Sequence, residues 1–546
     1  ILEISDLGRS IQLMQDTIHN FIKMINAVAG EKDFDKLLEK ITSDTIKVSS
    51  ASGAIVYLLS DDEKMLQPAC FMTPGGLQTN TLNEVDAHND PVLRESIQSH
   101  QRVTFTVDRD SAYKQSGVAR KGITDVLNAL EVDELKVVLF PLKNRQLESI
   151  GALCLLFDPL TDSESAESID KLDFVQTVTG FSALTIESTQ MVEAQKNLLE
   201  AFIKLIAGAI DEKSPYTGGH CQRVPVLTKM LAEAACESND TRFSDFDLTK
   251  EQWEELHIAS WLHDCGKVTT PEYVIDKSTK LETLYDRIHE VRMRFEVIKR
   301  EAELECWKAI AAGGNAQALK SALDQTLKQI DDDFAFVAEC NVGAEFMAPE
   351  KLERLSQIAK RTWLRTLDDR MGLSWEELNR KAKTPVSSLP VEEPLLSDRE
   401  DHIIEREPSE YDSPDNPWGF KLDVPEYKFN KGELYNLAIA RGTLTEEERF
   451  IINNHMTQTI IMLNKLPFPK QMKAIPEIAG GHHEKMDGTG YPKRLSRDEM
   501  PMSARMMAIA DIFEALTASD RPYKKAKTLS QAIEIMGYMK KDKHID

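Results

Sequence analysis

The sequence predicts a multidomain chain, an α+β sensor-like domain followed by an all-α domain that carries a large helical and loop insertion. Three observations predict it. A chain of 546 residues with 41% hydrophobic content is too long for one core, because single cores stop growing at roughly 250–300 residues. Short β-branched apolar runs occur between about Phe34 and Ile186, and apolar residues outside that stretch recur with helical period. Two adjacent pairs of metal-capable side chains, His263-Asp264 in LHDCGK and His482-His483 in HHEKMDGTGYP, fall on predicted apolar helices of the second part.

Residues 1–30 open the chain with Ile4, Leu7, Ile11, Met14, Ile18, Phe21, Ile25 and Val28 at alternating spacings of three and four. That is an a/d heptad stripe, read as a coiled coil or bundle helix. Its e and g positions lack charge pairs, so a single amphipathic helix on its own domain fits as well. Residues 31–187 form the α+β domain. Its strands are expected at Ala54–Leu59, Arg102–Val107, Lys136–Pro141 and Ile150–Phe157, the last two joined by the turn-like KNRQLES. Residues 188–213 read as a linking helix with Leu198, Phe202, Leu205 and Ala209 on one stripe. The all-α domain takes residues 214–546, with an insertion at about 295–435.

A formal charge of -24 argues against binding a nucleic-acid polymer, since phosphate backbones are held mainly by Lys and Arg. Cys70, Cys154, Cys221, Cys236, Cys265, Cys306 and Cys340 form no CxxC pair, which suits free thiols in a reducing compartment. No apolar run approaches the ~18 residues that span a bilayer. The chain therefore reads as cytoplasmic, or, because it starts at Ile1 rather than Met, as the cytoplasmic part of a longer membrane-anchored protein.

The chemistry lies in the second part. Thr217 is expected to cap a helix that puts His220 on the face of Val224, Leu227 and Leu231. The next helix carries Trp253, Leu256, Ser260, His263 and Lys267 on one stripe, with Asp264 about 100° round. Thr445 and Glu448 form a capping box that starts the helix bearing His455. The helix AIPEIAGGHHE presents His482 and His483, and Asp511 aligns with Met507 and Ala515 on SARMMAIADIFEAL. Any one of these side chains is most simply a satisfied core residue. All seven together would be ruinous to bury without compensation, and a metal cluster is the cheapest explanation.

Mixed nitrogen and oxygen donors without thiolate suit iron, manganese, nickel, cobalt or zinc better than calcium, and ligand type alone does not choose among them. Two divalent ions are expected, iron or manganese first, with nickel, cobalt, magnesium and zinc as alternatives. Two neighbouring divalent ions bridging a water and aimed at phosphorus would make the reaction a phosphoester hydrolysis. Lys267 is placed to hold a phosphate as a point charge. Arg223, Arg505, Arg521 and Lys524 are further basic candidates, each more simply read as a structural partner, and catalysis is expected only of Lys267. Cys265 reads as packing.

The helix, SGAIVYLL, PLKNRQLESIGALCLLF and long final helix of the first domain resemble a GAF domain. The resemblance implies either a small ligand beneath the sheet or a module that only dimerises or transmits a signal. TGGHCQRV, LHDCGK, LTEEERFIINNH, HHEKMDGTGYP and DIFEALTASDRPYK resemble the HD-GYP family of HD phosphohydrolases. That resemblance implies a sensor-regulated phosphodiesterase that opens cyclic di-GMP to pGpG, and in some members onward to GMP, through a metal-bridged hydroxide. It carries metal ligation onto His220, His263, Asp264, His455, His482, His483 and Asp511, with Asp264 bridging and catalytic, and phosphate contact onto Lys267. It associates Gly490, Tyr491 and Pro492 with substrate and with diguanylate cyclase partners, and it implies a homodimer.

Two departures stand out. A glutamate that holds a third metal in some members is Tyr216 here, which favours two metals. His263 and His455 are far apart because of the insertion, whose opening KLETLYDRIHEVRMRFEVIKREAELE and later RTWLRTLDDRMGLSWEEL read as helical. The insertion could serve as a lid, a dimer surface or a docking site. Other readings of the whole are hydrolysis of a different nucleotide and an inactive adaptor that signals by binding cyclic di-GMP.

Overall fold

The computed structural model of the chain describes residues 22–31, 33–60, 62–78, 82–86, 94, 96–97, 99, 101–109, 125–159, 169–213, 219–343, 346–407, 416–518 and 526–546. Most of the heptad stripe, Thr217, Tyr216, Arg521 and Lys524 lie outside these residues. The chain divides into two compact units, Ile1–Glu200 and Ala201–Asp546.

The first unit is built on an antiparallel sheet whose strands are β1 (Gly53–Leu59), β2 (Met65–Thr73), β3 (Gly76–Leu77), β4 (Val85–Asp86), β5 (Val103–Asp108), β6 (Glu134–Lys143) and β7 (Ser149–Phe157). Their order is β3-β2-β1-β7-β6-β5, with β4 also on β2. Successive side chains of a strand point to opposite faces, and here both faces are apolar. Ala54, Val56, Val138, Phe140, Leu142, Leu153, Leu155 and Phe157 enter one core, while Ile55, Tyr57, Val137, Leu139, Ala152, Cys154 and Leu156 enter the other. Burial on two sides explains why β6 and β7 read as unbroken apolar runs rather than alternating ones.

The first of these cores is closed by the helix Phe34–Ser49 and the start of the helix Ile169–Asp211. Asp33 caps the former by accepting from Lys36 N at 3.1 Å. Val28, the last residue of the heptad stripe, is helical and buried in the same core. All four expected strands are present. β2 was not expected, because Pro68 reads as a strand breaker. The sheet accommodates it at an irregularity, where the register with β1 shifts between Val56 and Tyr57.

The second unit has two cores. One gathers Ile203 and Ala207, Val224 of the helix His220–Cys236, Leu256 and Leu262 of the helix Lys250–Leu262, Ile475 and Ile478 of the helix Ile475–Gly480, and Met507 of the helix Met502–Thr517. The other belongs to the expected insertion. There the helices Ile288–Ala311 and Ala316–Val342 form a hairpin, with Asn315 capping the second, and Val291, Phe295, Ile330 and Val337 pack with Leu355 and Leu395. Two small ladders, Thr362–Arg365 with Val391–Pro394 and Ile403–Glu405 with Tyr427–Asn430, complete it.

The insertion's opening is helical as expected from Ile288 on, whereas Lys280–Arg287 forms turns with an isolated bridge between Glu282 and Asp286. RTWLR is not helical: Thr362–Arg365 is a strand, and only Trp375–Lys381 of that later segment is helix. None of the described helices is long and apolar enough to cross a membrane. All seven cysteines are free thiols.

Candidate metal centre

The helices that carry the candidate ligands are shorter than the sequence pattern predicts. The helix His220–Cys236 starts at its histidine with Gly219 as N-cap. The helix Lys250–Leu262 begins with a full capping box of Thr249 and Gln252 and ends at His263, so Lys267 belongs to the separate 3₁₀ turn Cys265–Thr269. Gly266 explains the change of path. A Cβ there would stand 1.9 Å from His455 O and 2.6 Å from Thr459 N, so only glycine lets this turn press against the histidine helix. Gly266 N also donates to Thr459 Oγ1 at 2.9 Å.

The expected single helix around His455 is two, Glu446–Asn453 and His455–Asn464. Its capping box is as expected: Thr445 N donates to Glu448 Oε2 at 2.9 Å, and Glu448 N to Thr445 Oγ1 at 3.2 Å. His482 and His483 follow the helix Ile475–Gly480 in a turn rather than lying within it.

These segments bring His220, His263, Asp264, His455, His482, His483 and Asp511 into one buried cluster. The donor atoms of His220, His263 and Asp264 lie within 4.8 Å of one another, as do those of His455, His482 and His483. Asp264 joins the two groups. Its Oδ2 is 3.3 Å from His220 Nε2 and 3.2 Å from His263 Nε2, while its Oδ1 is 3.2 Å from His455 Nε2. Asp511 Oδ1 is 3.2 Å from His220 Nε2. The His263 and His482 ring centroids are 4.9 Å apart, and those of His455 and His483 5.3 Å.

Three of the histidines orient their rings by one device. Nδ1 of His263, His455 and His482 donates to the carbonyl three residues back, at Ser260 (2.8 Å), Ile452 (2.5 Å) and Ala479 (2.8 Å). In the neutral ring this assigns the free lone pair to Nε2, the nitrogen that faces Asp264 or its neighbours. Buried Asp264 Oδ1, His455 Nε2 and His482 Nε2 accordingly find no hydrogen-bond partner. His455 Nε2 and Asp264 Oδ1 are 3.2 Å apart, but two lone pairs facing each other do not make a hydrogen bond. They fit a shared cation, and the donor set of imidazoles and carboxylates fits a divalent transition metal.

The electrostatics agree with that fit. Burial disfavours charge on Asp264, yet Lys267 and the surrounding histidines hold its carboxyl well below the usual range. Asp511 is likewise lowered against burial, chiefly by His220. Burial, with His263 next, pushes His482 down to about 4, and burial with His482 and His455 holds His483 well below the usual imidazole range. His220 goes the other way: burial is outweighed by hydrogen bonds to Asp264, Asp511 and Glu514.

Glu514 was not singled out in the sequence. Its Oε2 lies 2.5 Å from His220 Nδ1, and its Oε1 accepts from Arg223 Nε at 2.7 Å. Its spacing from Asp511, one helical turn on, was the available signal. Lys267 Nζ donates to Asp264 Oδ2 at 2.5 Å and keeps its side chain 25% exposed, so it can reach a ligand beside the cluster.

Tyr491 stacks on His483 with centroids 4.9 Å apart. Its loop is held by buried Glu484, which accepts from Lys493 N (2.6 Å) and Leu495 N (2.9 Å). Gly490 packs so closely that a Cβ would meet Glu484 Cα at 2.5 Å. Pro492 is buried after a cis peptide bond. Arg505, expected near substrate, is instead paired with Asp546.

Comparison with known proteins bears on this arrangement. Residues 390–546 match the family model described as HD domain. The 3'3'-cGAMP-specific phosphodiesterase 3 of Vibrio cholerae is 43% identical over 96 residues, which is 17% of this chain and 20% of that protein. The cyclic di-GMP phosphodiesterase response regulator RpfG of Xanthomonas campestris is 31% identical over 181 residues, 33% of this chain and 42% of that protein. A solved GAF domain/HD domain protein from Geobacter sulfurreducens, 18% identical with TM-score 0.23, overlaps 30% of this chain and 98% of that one. The chain spans 20% and 42% of the length of those two curated relatives.

The family match contains His455, His482, His483 and Asp511, and the fold brings His220, His263 and Asp264 to them. Residues 390–546 of the helical unit thus match an HD domain, and the HHEKMDGTGYP turn lies within that match.

Proposed function

We propose that this protein is a metal-dependent phosphodiesterase that hydrolyses cyclic di-GMP to pGpG, regulated by its GAF-like domain. The placement of Asp264 carries the reading: one carboxylate oxygen is turned to His220 and His263 and the other to His455. His220, His263, Asp264 and Asp511 would hold one divalent ion, and Asp264, His455, His482 and His483 a second. When bound, a pair of divalent ions would neutralise phosphate oxygens and lower the pKa of water at the site. The chain's own groups do the rest. Lys267 holds a non-bridging phosphate oxygen while Asp264 keeps the lysine charged, and Tyr491 covers His483 and limits water access on that side.

Iron and manganese head the expected metals, two per chain. A second substrate is favoured by the names of several relatives, which act on 3'3'-cGAMP. Homodimerisation is supported by the helix Ile169–Asp211, where Met191, Leu198 and Leu205, with Val192, Leu199 and Ile206, repeat every seventh residue and are exposed.

The experiment is turnover of cyclic di-GMP, 3'3'-cGAMP and cyclic di-AMP by protein loaded with Fe(II) or Mn(II) without oxygen. Hydrolysis of a guanine-containing cyclic dinucleotide is expected. Metal-loaded protein that leaves all three intact overturns the reading.

A further inference from the structure

Beside the metal cluster lies a cavity of about 530 Å³, within the size range of small-ligand sites. One wall is the loop Thr489–Tyr491, whose tyrosine stacks on His483. A second is the helix Glu446–Asn453, which runs directly into His455. The third is the segment Lys421–Pro425, inside the range expected from sequence to be an insertion. That segment is fastened to the loop at two points: Lys421 N donates to Pro492 O at 2.7 Å, and Arg494 Nη2 pairs with Asp423 at 2.6 Å.

The polar groups of the cavity divide into used and unused. Arg494 and Asp423 neutralise each other. The side chains of Glu446, Arg449, Asn453 and Lys421 have no hydrogen-bond or ion-pair partner among the described residues. Glu446 and Arg449 are three apart on one helix face, so they present a carboxylate and a guanidinium side by side, next to Phe450. A bare phosphate would be repelled by Glu446. Adenine offers no adjacent pair of donors to a carboxylate. Guanine answers both groups, because its N1–H and N2–H donate to a carboxylate while its O6 and N7 accept from a guanidinium. Lys421 remains for the attached phosphate.

We propose that this cavity is a guanine-nucleotide subsite, read by Glu446 and Arg449 and completed by Lys421. In this chain the inserted segment would thereby determine which cyclic dinucleotide reaches the metals. The inference rests on the cyclic-dinucleotide reading above, and it is tested by binding rather than turnover. Affinities of the full chain for cyclic di-GMP, cyclic di-AMP and GMP are measured calorimetrically in the presence of a chelator. The wild type, Lys421→Ala, Arg449→Ala and Glu446→Gln are compared; all three altered side chains are exposed, and circular dichroism confirms their folding.

Cyclic di-GMP is expected to bind more tightly than cyclic di-AMP. Each variant should weaken cyclic di-GMP by about tenfold, and Glu446→Gln should narrow the guanine preference. If Lys421→Ala or Arg449→Ala binds within about twofold of wild type, the subsite is wrong, even when the metal-loaded enzyme turns substrate over. If these variants weaken binding but the wild type shows no turnover, the subsite stands and the catalytic reading falls.

Discussion

Two buried polar clusters in the helical unit are built on opposite plans. Around Lys277 and Lys280 every charge is answered from within the protein. Lys277 Nζ donates to both oxygens of Glu448 (2.9 and 2.8 Å) and to Asn436 Oδ1 (3.3 Å), and Lys280 Nζ to Leu437 O (2.9 Å) and Ile439 O (2.8 Å). Around Asp264 the equally buried lone pairs of His455, His482 and Asp264 converge without donors between them. Burial of polar groups is common to both clusters, so burial alone says little about function. The unanswered lone pairs of one cluster are what a ligand must satisfy.

The largest break in this contrast is Asp264→Ala. Without the carboxylate that faces both halves of the cluster, turnover of cyclic di-GMP should fall by more than about 10³-fold, comparable to the loss of a central catalytic group. Added Mn(II) should raise the melting temperature of the wild type and leave that of the variant unchanged. A variant with a normal metal-induced rise would show that Asp264 is not a ligand. Lys277→Ala tests the other cluster. It leaves Glu448 buried without its partner, and urea unfolding should show a loss of about 3–5 kcal/mol while metal binding persists.

The same contrast explains what was legible in the sequence. The clustered histidines and aspartates could be singled out because such residues inside apolar stretches such as LHDCGK are anomalous by themselves. Where their helices stop was not legible, because it depends on a contact between segments distant in sequence: Gly266 against His455 and Thr459. Glu448 was read as half of a capping box, and it is that. Its second role, receiving Lys277, lies 171 residues away and leaves no local trace. In the sheet unit, β6 and β7 announced themselves by apolar runs, whereas Pro68 hid β2. RTWLR becomes a strand because Val391–Pro394 pairs with it, which no helical periodicity could reveal.

Glu514 lies between the two plans, since it partners a site histidine and is itself paired with Arg223. It is a positioning residue for His220 Nδ1. Glu514→Ala should weaken metal affinity by about 10–100-fold, the usual cost of losing such a support, with kcat for metal-saturated enzyme falling less. Glu514→Gln, which can still accept from Nδ1, should restore most of the affinity. Equal losses in both variants would assign Glu514 to charge balance instead of orientation.

The smallest effect concerns a half-buried group whose partners suit one protonation state only. His402 is lowered from 6.5 to about 4, first by burial and then by Arg399, with Arg287 adding to the repulsion and Glu433 and Asp401 opposing it. Arg399 N donates to its Nδ1 at 3.4 Å, which requires the neutral ring. Between pH 6.5 and 4 the unfolded chain therefore binds a proton that the folded chain does not, so stability falls as pH falls through this window and levels off below it. Carboxylates also destabilise the fold in acid, so the measurement is differential. Unfolding free energies of wild type and His402→Gln are compared at pH 7 and pH 4.5. The wild type should lose on the order of 1–2 kcal/mol more than the variant, and parallel losses would mean that His402 is solvated well enough to charge in place.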